Sequence, residues 1–172
     1  MNTRKYETHT SWRTIEGMDT KAAGYRRKVN TINRVITALQ RAGLAFGPMQ
    51  LLTVPGRRSG EPRTFPLAVL KVQGGEYLIQ AFPKAAWVAN VRAAKEGTLS
   101  RGRRQRRVRF VELPVAERGP VLREVVAGGP PSVGRRYVTT GLAESPTPDG
   151  VAAAAAAGRI AVFRVEAAGL GS

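Results

Sequence analysis

Residues 49–81, MQLLTVPGRRSGEPRTFPLAVLKVQGGEYLIQA, alternate apolar runs with turn chemistry. Met49 to Val54, Arg63 to Val72 and Glu76 to Ala81 have the β-branched and aromatic content of strands. Pro55 to Pro62 joins the first two runs, and Gln73-Gly74-Gly75 joins the second to the third. Connections this short specify antiparallel hairpins, because a parallel return needs a crossover of about a dozen residues or more.

Outward from that stretch, the N-terminal side carries an amphipathic helix from Arg27 to Ala42. Val29, Ile32, Val35, Ile36 and Leu39 recur at helical spacing, and Gly43 is placed to end the helix. Its polar side, with Arg26, Arg27, Lys28, Arg34 and Arg41, is suited to phosphate, an acidic lipid surface or water. On the C-terminal side, Lys84 to Lys95 puts Trp87, Val88, Val91 and Ala94 on one helical face. Thr98 to Arg101 and Arg104 to Leu113 read as a hairpin around Gly102. Glu117 to Val126 reads as a second amphipathic helix, entered through Pro114. A Gly128-Gly129-Pro130-Pro131 loop follows, then Arg135-Arg136-Tyr137, a helical stub over Ala152 to Ala157 and a last strand from Ile160 to Val165. About six mainly antiparallel strands with a few helices make an α+β fold built on a small barrel. Residues 1–20 match no periodic pattern and are expected to be a leader ahead of a single domain over 21–172, with Met18 a candidate start.

Composition narrows the chemistry. The 172 residues carry 28 Lys plus Arg against 12 Asp plus Glu, a formal charge of +16. There is no cysteine, so thiol catalysis, thiolate metal sites and disulfides are excluded. His9 is the one histidine and lies in the N-terminal stretch, which leaves a serine-histidine triad or a histidine metal cluster without a central residue. The acids are scattered without a close pair that would suggest a carboxylate or metal site. Any enzyme chemistry is therefore expected from a bound organic cofactor, with no metal. No run of about 18 apolar residues spans a bilayer and no signal-peptide core follows the basic start, so the expected location is cytoplasmic. The basic first helix adds an expected peripheral contact with an acidic membrane.

Two clusters carry the charge. In Gly56-Arg57-Arg58-Ser59-Gly60, followed by Arg63, the glycines free the backbone to turn N–H groups inward. Ser59 adds a hydroxyl, and three guanidiniums offer charge-assisted bonds to an anion. A solvated charged turn is the competing reading. Arg101, Arg103, Arg104, Arg106, Arg107 and Arg109 form the other cluster. A nucleic-acid site and an arginine-coated hairpin with Val108 and Phe110 turned to a core are its two readings. Phe110 is the single aromatic residue there, and base stacking needs more, so specific nucleic-acid recognition is not expected. Trp87, Asn90 and Arg92 share one helix, with Trp87 read as a core anchor and Arg92 as a surface charge. Tyr25 and Tyr137 are candidates for lining a pocket or donating a proton.

In sequence, these pieces are more specific than any one alone. A helix ending near Gly43 precedes Leu51-Leu52-Thr53 and then Gly56-Arg57-Arg58-Ser59-Gly60-x-x-Arg63-x-x-Pro66-Leu67. Gly75-x-Tyr77-Leu78, Trp87-x-x-Asn90-x-Arg92-Ala93 and Val111-Glu112-Leu113-Pro114 follow. Over roughly residues 27–166 this order resembles the deazaflavin-dependent nitroreductase family, oxidoreductases that use coenzyme F-420. The resemblance implies a split β-barrel of the flavin-binding type that passes hydride from the reduced deazaflavin to a quinone, enone or nitroaromatic compound. It implies that Arg57, Arg58, Ser59 and Arg63 hold the phosphate side of the coenzyme. Pro66, Phe82, Pro83, Lys84 and Trp87 would border its ring, and Tyr25 and Tyr137 would line the substrate pocket. Tyr137 is then the candidate proton donor, from a loop closing over the groove, with Arg135 and Arg136 favouring its phenolate. The chain departs from some relatives in its short Phe82-Pro83-Lys84-Ala85-Ala86 stretch, which lacks their paired glycines, and in Ala68 after Pro66-Leu67. Some relatives hold fatty acids, so a non-enzymatic lipid-binding barrel is the alternative implied by the same resemblance.

Overall fold

The computed structural model describes Arg34 and residues 48–169. The leader expected over 1–20, His9, Tyr25 and the first basic helix, apart from helical, exposed Arg34, lie outside the described residues. Among the described residues, seven strands form one sheet. They are β1 (Met49–Pro55), β2 (Pro62–Ala68), β3 (Leu70–Val72), β4 (Gly75–Ile79), β5 (Glu96–Arg101), β6 (Arg104–Glu112) and β7 (Val162–Ala167). Among residues 48–169, four helices accompany them: α1 (Ala86–Ala94), α2 (Val115–Gly128), α3 (Ser132–Thr139) and α4 (Pro148–Ala156). Every ladder is antiparallel, in the order β2-β1-β5-β6-β7-β4-β3.

That order has a geometric consequence. β2 and β3 are the two outer strands of the sheet, yet in sequence only Val69 separates them. A single residue spans less than 4 Å, roughly, so the sheet curls until the end of β2 stands beside the start of β3, while the two edges stay unpaired, giving a half-barrel. The run from Arg63 to Val72, expected as one strand, is thus two. Val69 is buried and its N–H donates to the Pro48 carbonyl at 3.0 Å, outside the ladders of β2 and β3.

Alternation along the strands sorts the side chains. Leu52, Val54, Leu99, Val108 and Phe110 turn into the barrel and join α1 through Trp87, Val88 and Val91. Trp87 meets Phe163 edge-on, with ring centroids 5.7 Å apart. A second apolar cluster lies between α2, α3, α4 and the end of the sheet, with Leu113, Leu122, Val151, Ile160 and Val162 fully or almost fully buried. The alanine run belongs to it. Pro148 starts α4, the Thr147 hydroxyl accepts from the Gly150 N–H at 3.1 Å, and Ala154 and Ala155 pack inward. Arg135-Arg136-Tyr137, expected in a loop, is helical instead: Pro130-Pro131 lead into α3 rather than away from structure. Among the described residues, no helix is long and apolar enough to cross a membrane, and no group of acids or histidine could hold a metal ion.

Candidate functional site

The loop after β1 is fixed by its own backbone and by α1. The Gly56 N–H donates to the Glu61 carbonyl and the Gly60 N–H to the Gly56 carbonyl, both at 2.8 Å. Gly60 has a φ of +70°, a left-handed conformation that side-chain-bearing residues rarely adopt. The Asn90 side-chain oxygen, on α1, then accepts twice from Arg57: from its main-chain N–H at 3.2 Å and from its guanidinium Nη1 at 3.3 Å. Asn90 is only 4% exposed, so this is a buried polar group whose acceptor is used.

What the loop leaves unused is a set of donors. The N–H groups of Arg58 and Ser59 have no acceptor among the described residues, and the Arg58 guanidinium has no acidic partner there. Arg63 faces Glu61 at 3.9 Å with both side chains largely in solvent, a pairing that contributes little. The Ser59 hydroxyl accepts from the Glu61 N–H at 3.3 Å, which closes the turn. Arg57, Arg58, Ser59 and Arg63 are therefore brought together as one exposed, electropositive edge, with Arg57 anchored.

Beside the loop lies an open groove of about 550 Å³ between β1, β5 and the end of α1. The strand register places Thr64, Thr53, Thr98 and Arg107 in one row across β2, β1, β5 and β6. The Thr53 and Thr64 hydroxyls are hydrogen-bonded at 3.0 Å. Arg57 and Arg107 both line the groove, as does Glu96, which stands 3.4 Å from Arg107 and 3.5 Å from Arg109.

The opposite side of α1 borders a second open cavity, of about 740 Å³, and is braced by an ion pair. Arg92 donates to both carboxylate oxygens of Glu112 at 2.9 and 2.7 Å. Buried Arg118 donates to the same carboxylate at 3.1 Å and to the carbonyls of Leu113 and Ile160 at 2.9 and 3.2 Å. The hydrogen bonds and charge of Arg92, with Arg118 behind it, hold the Glu112 carboxyl below its ordinary range against the effect of burial. The same hydrogen bond raises Arg92. Arg92, read from sequence as a surface charge, is a structural tie between α1 and β6.

The other expected residues are dispersed. Pro66 lies on β2 opposite Leu51. Phe82, Pro83 and Lys84 form the turn into α1, where the Phe82 carbonyl accepts from the Gln80 side chain at 2.8 Å and Lys84 takes a φ of +53°. Trp87 is a buried core anchor at the start of α1. Tyr137 is 4% exposed within the second apolar cluster, not in a loop over the groove, and burial pushes its phenol up to about 12 against the opposing charge of Arg136. The expected help from neighbouring arginine is therefore outweighed by desolvation. In the arginine hairpin, Val108 and Phe110 face the core, Arg106 pairs with Glu76 at 2.7 Å, and Arg101, Arg103 and Arg104 have no acidic partner among the described residues.

Sequence reading gave no role to Asn90, Glu96 or the threonine row. The signal for Asn90 is an amide on the buried face between Trp87 and Val91, where a polar group needs a partner. Glu96 and the threonines become neighbours of Arg107 only once the register is known.

A family model described as F420H(2)-dependent quinone reductase matches residues 19–141. The chain is similar to a solved structure described as a domain-swapped dimer, at 21% identity and a TM-score of 0.51, over 81% of this chain and 99% of that one. It is also similar to one titled as an F420-H2 dependent reductase, at 24% identity and a TM-score of 0.48, over 69% of this chain and 94% of that one. No curated protein matches. Because the matched family segment runs through the anchored loop, α1 and the strands that carry the groove, this chain belongs to the F420H(2)-dependent quinone reductase family and is an oxidoreductase that uses reduced coenzyme F-420.

Proposed function

We propose that this protein is a cytoplasmic reductase that delivers hydride from reduced coenzyme F-420 to an activated small molecule, a quinone, an enone or a nitroaromatic compound. The observation that carries the reading is the Asn90-anchored loop with its unused donors. An anionic phosphate fits such a loop: two N–H groups and the guanidiniums of Arg58 and Arg63 are free of strong internal partners, and Arg57 is held in place beside them. When bound, the coenzyme supplies a hydride at C5 of its ring. The chain's own task is to bind and orient. Arg57, Arg58, Ser59 and Arg63 take the phosphate side, while Pro66, Phe82, Pro83 and Lys84 border the ring. Trp87 acts from the core, by fixing the start of α1. Positioning and a dry contact account for such a reaction without a protein nucleophile, which suits a chain with no cysteine.

Fluorescence-quenching titration tests this directly. Coenzyme F-420 is expected to bind at a micromolar Kd or tighter, about −8 kcal/mol, with its reduced form oxidised by quinones or enones. Binding of FMN or of a fatty acid in place of the deazaflavin would overturn the reading. The same reading includes a peripheral contact with acidic lipid through the basic first helix, on the sequence charge of Arg26, Arg27, Lys28, Arg34 and Arg41. Co-sedimentation with anionic, but not neutral, vesicles is the expected result.

A further inference from the structure

Arg57 and Arg107 line the same groove from elements separated by β5. β1 and β6 are two strand spacings apart, roughly 10 Å. Thr53 on β1 and Thr98 on β5 lead across to Arg107 on β6, and Glu96 is the one acid among the groove's described lining residues. Glu96 divides its carboxylate between Arg107 and Arg109 at 3.4 and 3.5 Å, longer than the 2.7 Å contact of Glu112 with Arg92. The side chains of Glu96 and Arg107 are 40% and 79% exposed, so either can turn to solvent at little cost. Contacts of this length and exposure are weak and easily exchanged, unlike close charge-assisted bonds.

We propose that Glu96 is a built-in counter-anion of the groove. It occupies Arg107 in the free protein and is displaced by the second anionic group of an elongated ligand whose first anion sits on the Arg57 loop. The ligand class is a chain bearing two or more phosphates or carboxylates along its length. A single-centre anion seated on the loop has no reason to displace Glu96, so the groove discriminates by length and by number of charges. The proposal rests on the cofactor reading only in taking the Arg57 loop as the seat of the first anion.

Isothermal titration at low salt with tripolyphosphate, and with inorganic phosphate as the single-centre probe, tests it. Glu96→Gln should bind tripolyphosphate about three- to tenfold tighter, the range for one exposed charge at a few ångströms, and inorganic phosphate less than about twofold tighter by the same reasoning. Arg107→Gln should weaken tripolyphosphate, and adding Glu96→Gln to it should restore little. Thermal melts check folding, and Glu96→Thr, suited to a strand, replaces the glutamine variant if that fails to fold. Unchanged or weaker tripolyphosphate binding in Glu96→Gln overturns the proposal. So does equal strengthening for both probes or in the Arg107→Gln background, since that is a general charge effect. Coenzyme F-420 failing to bind while this pattern holds would defeat the cofactor reading alone; coenzyme binding without a Glu96 effect would defeat this one alone.

Discussion

The Asn90 side-chain oxygen accepts both the backbone N–H and the guanidinium of Arg57, tying the anion loop to the buried face of α1. One amide thus sets both the course of the loop and the direction of its first arginine. Asn90→Leu keeps the volume and removes the acceptor. It should cost about 1–3 kcal/mol of stability in urea unfolding and weaken coenzyme binding by at least as large a factor as it loosens the loop. Unchanged stability with unchanged affinity would show that the loop holds itself.

Arg58 is exposed and unpaired among the described residues, so its removal should leave the fold intact. Arg58→Ala should weaken coenzyme F-420 binding by about 1.5–3 kcal/mol, the range for hydrogen bonds to charged groups, and flatten the salt dependence of the Kd. A folded variant with the parent's Kd would return the loop to a solvated turn.

Glu112 makes the molecule acid-sensitive. Its folded pKa lies below the ordinary value because the hydrogen bonds of Arg92, then its charge and that of Arg118, favour the carboxylate. The stabilisation is complete above the unfolded pKa of about 4.3 and is lost as pH falls through the lower, folded value. Glu112→Gln should remove that acid limb from a plot of stability against pH. It should also be less stable at neutral pH, since buried Arg118 loses its charged partner.

Tyr137 gives the opposite limb. Buried and neutral, with its phenol pushed up to about 12, it contributes fully below the unfolded pKa of about 10 and loses that contribution as pH rises towards 12. The loss is about 2–3 kcal/mol over that window, and Tyr137→Phe should abolish it. Turnover of Tyr137→Phe should stay within about threefold of the parent, because a phenol in the apolar cluster serves packing. A fall of about a hundredfold with coenzyme binding intact would instead make it the proton donor.

Much of the architecture was legible because period-2 alternation is strong wherever one face is buried. Val108 and Phe110 against Arg107 and Arg109 is such a case, and β5–β6 forms where it was expected. The break at Val69 was not, since Phe65, Leu67 and Val69 keep an apolar alternation through the bend and the sequence carries no punctuation there. The donor-rich loop could be read from composition, but its anchor could not: Asn90 lies 33 residues away, and only tertiary packing pairs them. Tyr137 sits in a helix where the sequence suggests a loop, because Pro130-Pro131 reads equally as loop. Proline is equally suited to the entry of a helix, where its missing N–H has no cost.

The single residue between β2 and β3 also makes the sheet a ring in covalent terms. From the arginine loop to β4 there are two routes: four ladders across the sheet from β1, or straight along the chain through β2, Val69 and β3. The short route ends beside Gln73, whose side-chain amide donates to Glu124 of α2 at 2.6 Å. A cut at Val69 would therefore free both margins of the sheet at once and remove the short covalent route between the anion loop and the helical half of the molecule. This buried position is accordingly the wrong place for new chain ends in a circular permutation, whereas the Gly102–Arg103 turn, half-buried at Gly102 and exposed at Arg103, is a better one.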